Sequence, residues 1–176
     1  MNEMLDRADA MRSVIYQILS GEYPDDPKTL LVVAYVDLAL EHHEAIILLI
    51  RRKLYGPALA LVRLVFEILF VAHWINGCAK QEEVEKIAYK GGFEFPGMGT
   101  VAEAVDRAYG TGSFFTDLKK RGWKAMNEYT HSGLLQLSKR FSGTKVEPRY
   151  ENGILIEVVN STTAAILMLA NLLVKS

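Results

Sequence analysis

Apolar residues in the first part of the chain recur at three- and four-residue steps, at Met4, Ala8, Met11, Ile15 and Ile18. That period lays them along one face of a helix, so the spacing predicts a first helix over residues 2–19. The segment from Gly21 to Pro27 interrupts the pattern with a glycine and two prolines. Asp26 suits an N-cap and Pro27 the first helical position, where the missing N–H costs nothing. A second, long helix is expected from there to about Tyr55, with Arg51, Arg52 and Lys53 in its last turns, where cations meet the negative end of the helix dipole.

Gly56-Pro57 reads as a tight stop and restart, which makes the second and third helices an antiparallel hairpin. The third helix, over 57–75, is apolar nearly all round, and such a helix belongs at the centre of a bundle. Asn76-Gly77 ends it. A short amphipathic helix is expected over 81–89, then a connector over 91–99 rich in glycine and aromatic residues but without phosphate-loop spacing. Further helices are expected over 100–109, 113–120 and 123–140, with Gly122 and Gly133 as weak points. A turn-rich link covers 143–152 and a last apolar helix 153–174. The pattern holds no internal repeat and no convincing strand. The expected architecture is therefore all-α: one domain over 1–176, a helical bundle built on a long antiparallel helix hairpin with shorter flanking helices.

Composition supports a packed domain, since half of the 176 residues are apolar and 23% are charged. Twenty basic residues stand against twenty-one acidic ones, a net charge of −1. Such a balance excludes a broad positive field for nucleic acid and leaves only a local basic patch open. The single cysteine, Cys78, excludes an internal disulfide and a thiolate zinc cage. No metal or cofactor is expected. The first residues carry acids where a signal peptide would carry bases, and no apolar run follows them, so a cytoplasmic location is the expectation. Apolar stretches at 30–50, 57–75 and 154–174 are interrupted by groups such as Asp37, Glu41 and Glu44, Arg63 and Glu67, and Glu157. Each ionised group at mid-bilayer costs about 2.5–3.5 kcal/mol, so all three read as buried helices and no membrane partner is expected.

A few polar residues stand out against this background. Arg63 and Glu67 lie one turn apart in an otherwise apolar helix and form either a structural ion pair or part of a site. His73 falls on another side of the same helix, as an edge residue. Asp37, Glu41 and Glu44 share one face of the second helix, which reads as a solvated face before it reads as a metal site. His42 and His43 point about 100° apart and cannot serve one site together. The most informative stretch runs from Arg121 to Gly133. Asn127 and His131 share a helical face, with Lys124 one turn earlier and roughly aligned. A cation, an amide and an imidazole in that arrangement can hold a phosphate and move a proton, which makes His131, Asn127 and Lys124 the catalytic candidates. Arg121 and Tyr129 of the same stretch join Arg63 and Glu67 as candidate ligand contacts. The plainer alternative for His131 is a hydrogen-bonded residue at a helix end.

The Asn127-x-x-x-His131 helix, following a long apolar hairpin with an Arg63-x-x-x-Glu67 turn, resembles the HEPN-type helical domains. The resemblance covers residues 27–140 and lies nearest to uncharacterised bacterial members. It implies a helical bundle, often dimeric, and in many members a metal-independent ribonuclease or toxin component. The catalytic motif of such domains sets an arginine four to six residues before the histidine, often directly followed by asparagine. Met126 stands at that place here, and of the nearby cations only Lys124 comes close to the spacing.

Three functions follow. The first is a HEPN-like homodimer with a nucleotide or RNA site near Asn127 and His131, with ribonuclease activity if His131 still transfers a proton. The second is a di-metal carboxylate bundle, suggested by Glu128-x-x-His131 with Glu41, Glu44 and Glu67, although that template requires two such pairs. The third is a helical interaction module for a protein partner, in which surplus apolar surface on the third and last helices forms a homodimer.

Overall fold

The computed structural model describes residues 1–174, and among these residues eight α-helices and one π-helical turn account for a helical content of 76%. These are α1 (Asn2–Leu19), α2 (Pro27–Arg51), α3 (Tyr55–Gly77), α4 (Gln81–Glu85), α5 (Met98–Tyr109), α6 (Phe114–Thr130), α7 (Leu134–Ser138) and α8 (Asn152–Val174). A π-helical turn, Lys86–Lys90, continues α4. The expected all-α bundle on a central helix hairpin is the observed fold. A two-residue antiparallel ladder that the sequence pattern did not reveal joins β1 (Phe141–Ser142) to β2 (Lys145–Val146), in the register Phe141↔Val146.

α3 is the axis of the bundle. It pairs with α2 along the hairpin, and α5, α6 and α8 close around its remaining sides, while α1 covers α2 and α8. Leu59, Leu69, Phe70 and Ile75 are fully enclosed. By length and composition α3 and α8 could each cross a membrane; 72% of the apolar window of α3 is buried by its neighbours, against 39% for α8. Most of the apolarity of α3 is thus used within the fold. α8 keeps Ile156 and Leu167 exposed.

Local signals explain most helix ends. Asp26 caps α2 as expected, its carboxylate accepting the Thr29 N–H at 2.8 Å and the Thr29 hydroxyl at 2.7 Å. The hairpin turn departs from expectation. α2 ends at Arg51 with Lys53 in the left-handed region (φ 59°), and the Leu54 N–H reaches back to the Leu49 carbonyl at 2.8 Å. Gly56-Pro57 therefore lies inside the first turn of α3, where proline is tolerated because the N–H groups there have no helical partner. Side-chain ends from outside the hairpin approach Gly56 closely. A Cβ on it would sit 2.7 Å from Arg140 Nη2 and 2.9 Å from Gln136 Nε2.

The helices expected over 113–120 and 123–140 are redistributed. α6 runs unbroken through Gly122, and the chain breaks at Gly133 instead. The N-terminus of α6 is held from α5 by Asp106, a buried carboxylate not singled out in the sequence. It accepts the Phe115 and Thr116 N–H groups at 2.8 and 2.9 Å, and the Thr111 and Thr116 hydroxyls at 2.6 and 2.7 Å. Burial by itself would raise its pKa, but these four hydrogen bonds outweigh burial and hold the carboxyl below the usual range. His73 is also corrected: it is buried rather than at an edge, its Nδ1–H donating to the Leu69 carbonyl at 2.8 Å and its ring against Tyr109 and Phe115. His43 of α2 is buried, with Nε2 2.9 Å from Thr163 Oγ1 of α8 and Nδ1 buried without a hydrogen-bond partner among the described residues. Burial, reinforced by the nearby Arg12 guanidinium and only partly offset by Asp9, lowers its pKa to about 4.

Two acid-side effects on stability follow. Because His43 folds with a pKa near 4 against 6.5 unfolded, its contribution is complete above pH 6.5 and disappears as pH falls toward 4. Urea unfolding should show roughly 3 kcal/mol lost across that window, and His43→Gln should flatten the slope; an unchanged slope in the variant would contradict this account. Asp106 acts lower, its contribution present above the ordinary aspartate range and lost as pH falls through its depressed folded value. Asp106→Asn sets an amide donor against the donors of Thr116 and should cost about 2 kcal/mol at pH 7, read as a lower thermal midpoint.

Candidate functional site

α6 crosses α3 with one row of side chains facing it. Thr130 Oγ1 donates to the Ala60 carbonyl of α3 at 3.1 Å and to the Met126 carbonyl at 2.9 Å, which fixes the crossing. On the same side of α3, Arg63 binds Glu67 Oε1 through Nε at 3.0 Å and through Nη2 at 2.7 Å. Its third face is turned to α6. Nη1 lies 2.7 Å from His131 Nε2, and the guanidinium carbon is 5.4 Å from the Trp123 ring centroid. One partly buried cation is thus gripped by a carboxylate, an imidazole and an indole face.

The contact fixes the imidazole's state. Arginine only donates, so Nε2 of His131 accepts and the ring proton sits on Nδ1. His131 is exposed and occupies the C-cap of α6, its N–H bonded to the Asn127 carbonyl at 2.9 Å. Ser132 follows in the left-handed region (φ 54°), and the Gly133 N–H returns to the Glu128 carbonyl at 2.7 Å. This is the helix-ending motif that usually places glycine at the left-handed position. Serine there costs about 1 kcal/mol of backbone strain, spent where the chain turns away just after His131. A Cβ at Gly133 would displace the Glu128 carboxylate from the place where it accepts the Leu135 N–H.

The sequence-derived candidates divide between two sides of α6. Arg63, Glu67 and His131 come together. Asn127 lies on the same row, one turn from both Trp123 and His131, and its buried Oδ1 has no hydrogen-bond partner among the described residues. Lys124 is exposed and makes no hydrogen bond or ion pair with Asn127 or His131 among the described residues, so the aligned triplet is not a contact cluster. Arg121 and Tyr129 open on the other side, into a cleft with Met126. Met126 is buried, so the place where the HEPN motif sets its arginine faces inward in this chain. The guanidinium beside His131 is that of Arg63, which comes from α3.

Trp123 was missed by sequence reading, although its spacing of four and eight from Asn127 and His131 marks it as part of the same row. The carboxylates of the di-metal reading are held apart. Glu128 Oε2 accepts the Leu135 N–H at the start of α7, Glu67 pairs with Arg63, and Glu44 lies 3.2 Å from Arg12 in a cleft shared with Asp37 and Glu41. No group of three or more histidine, cysteine, aspartate or glutamate residues suited to a metal occurs among the described residues.

Fold and site define an all-α helical bundle with a surface Arg–Glu–His cluster at a crossing of two helices. The chain belongs to DUF6988, a family of unknown function whose model matches residues 36–175, a span that takes in the whole cluster. No curated protein and no solved structure matches the chain.

The cluster should be measurable as coupling. Arg63→Ala leaves the Glu67 carboxylate and the half-buried face of Trp123 uncompensated and should cost about 1–2 kcal/mol. In a double-mutant cycle with His131→Ala, a coupling of about 0.5–1 kcal/mol is expected from urea unfolding; strict additivity would mean that the Arg63–His131 contact contributes nothing.

Proposed function

We propose that this protein is a HEPN-like homodimer whose Arg63–His131 pair binds a phosphodiester of RNA or a nucleotide. The observation that carries the reading is the 2.7 Å contact between Arg63 Nη1 and His131 Nε2. It pairs a cation that can hold a phosphate with an imidazole nitrogen that can accept a proton. Glu67 and Trp123 hold the guanidinium in place, and Trp123 adds an aromatic surface beside it. Lys124, exposed on the same helix, adds a further positive charge.

The chemistry follows from one exchange of partners. An incoming phosphate accepts the Arg63 Nη1–H and so releases His131 Nε2 from its hydrogen bond. The freed Nε2 can then take the proton of a ribose 2′-hydroxyl. The 2′-oxygen attacks phosphorus, the bond to the 5′-oxygen breaks, and that oxygen takes a proton from water as it leaves, while His131 returns the proton it accepted to solvent. A cyclic phosphate and a 5′-hydroxyl end result, with Arg63 stabilising the charge that develops on the phosphoryl oxygens.

The test uses end-labelled single-stranded RNA, with binding read by anisotropy at low salt and cleavage by gel. Arg63→Ala should weaken binding roughly tenfold. His131→Ala should slow cleavage by about a hundredfold or more while leaving binding nearly intact. Cleavage unaffected by His131→Ala would end the catalytic reading, and the absence of binding would end the phosphodiester reading altogether. A non-catalytic interaction module is the second reading, favoured by the exposed Val14 and Ile18 on α1 and Ile156 and Leu167 on α8. Both readings expect a dimeric mass in solution.

A further inference from the structure

Four buried side-chain nitrogen or oxygen atoms lack a hydrogen-bond partner among the described residues, and two of them, Gln136 Oε1 and the Tyr150 hydroxyl, belong to side chains that meet at one place. That place lies over Gly56, in the first turn of α3. Measured from the point where a Cβ on Gly56 would sit, Arg140 Nη2 is 2.7 Å away, Gln136 Nε2 2.9 Å and the Tyr150 hydroxyl 3.3 Å. Gln136 comes from α7, and Arg140 and Tyr150 from the chain that follows it. The Tyr150 ring is held edge-on by Tyr55, 5.5 Å between centroids, with the Arg140 guanidinium carbon 6.0 Å from it. All three side chains are partly buried, and none makes a side-chain hydrogen bond or ion pair among the described residues.

A guanidinium, an amide and a phenol that converge without satisfying one another are complemented by one group with several lone pairs, an oxyanion. The acids next to them in the chain do not fill that role. Glu151 is drawn to Lys139 at 3.5 Å, and Glu147 is exposed and makes no ion pair among the described residues. Arg52 and Lys53, exposed in the turn before α3, keep the surrounding charge positive. α3 also starts without a side-chain cap, so the positive end of its dipole is uncompensated there. The orphaned Gln136 Oε1 narrows the class of ligand. It accepts and cannot donate, so it is satisfied by an anion that carries a proton beside its acceptor oxygens. Phosphate groups, with a second pKa of about 6, keep such an O–H near neutral pH, whereas sulfate has none.

We infer that Arg140, Gln136 and Tyr150 form a binding site for a hydrogen phosphate group, as inorganic phosphate or the end of a phosphomonoester. Gly56 and Arg63 are seven residues apart on α3, about 10 Å along its axis, and the site does not rest on the Arg63–His131 reading. The full chain is titrated calorimetrically with inorganic phosphate, phenyl phosphate and sulfate at pH 6.5 and low salt. The titration is repeated in Arg63→Ala, which removes the other candidate phosphate contact. One phosphate should bind per Arg63→Ala chain, roughly fivefold or more tighter than sulfate. Phenyl phosphate binding more tightly than phosphate assigns the site to a monoester, and more weakly to the free ion; either supports it. Arg140→Ala should weaken phosphate roughly tenfold or more, and Tyr150→Phe about fivefold. Gly56→Ala separates binding from folding, because the atoms its Cβ would meet are side-chain ends that can move aside. Its melting temperature should stay at or above that of the parent while phosphate binding falls. No saturable phosphate binding in Arg63→Ala, equal affinity for sulfate, or full affinity after Arg140→Ala would overturn the assignment.

Discussion

Burying a long helix on every side leaves its few polar side chains dependent on whatever packs against it, and α3 is such a helix. Fourteen of its residues are buried, and its polar groups find partners both on the helix itself and on its neighbours. Arg63 is held by Glu67 of its own helix and by His131 and Trp123 of α6, Asn76 donates to the Tyr109 hydroxyl of α5, and His73 turns inward to the Leu69 carbonyl. A charge half-withdrawn from water gains from every partner that compensates it, so the contacts made by Arg63 contribute to the fold as well as forming the centre of the candidate site.

α6 acquires its importance from those contacts. It is fixed at its start by Asp106 of α5, in its last turn by Thr130 on the Ala60 carbonyl, and at its end by the left-handed turn through Ser132. So anchored, it presents one row, Trp123, Asn127 and His131, on the side of Arg63, and another, Arg121, Met126 and Tyr129, to the cleft that α8 leaves open. One helix thereby serves a polar cluster and an apolar trough with opposite chemistry. A residue's side of α6, rather than its place in the motif, decides which chemistry it can join.

Much of this was legible in the residues alone. The period of the apolar positions marked α1, α2, α3 and α8 within a few residues, because amphipathic and fully apolar helices leave a pattern that needs no partner to be read. The Asp26 cap was legible for the same reason, since its hydrogen bonds close over three residues. Gly56-Pro57 misled because glycine and proline usually punctuate; here both fall in the first turn of α3, where neither stops the helix. Gly122 misled likewise, its helix continuing because both ends are held from outside.

What the sequence by itself determined is the helical class, the central place of α3 and the presence of an arginine, a glutamate and a histidine able to form a site. These depend on local periodicity and residue chemistry. Only the tertiary structure decided that Arg63 meets His131, that Met126 faces inward, that Lys124 stands apart, and that Arg121 and Tyr129 belong to a separate cleft. A helical face settles which residues of one helix travel together. The angle and register at which two helices cross settle what they meet, and those are set by the packing of the whole core.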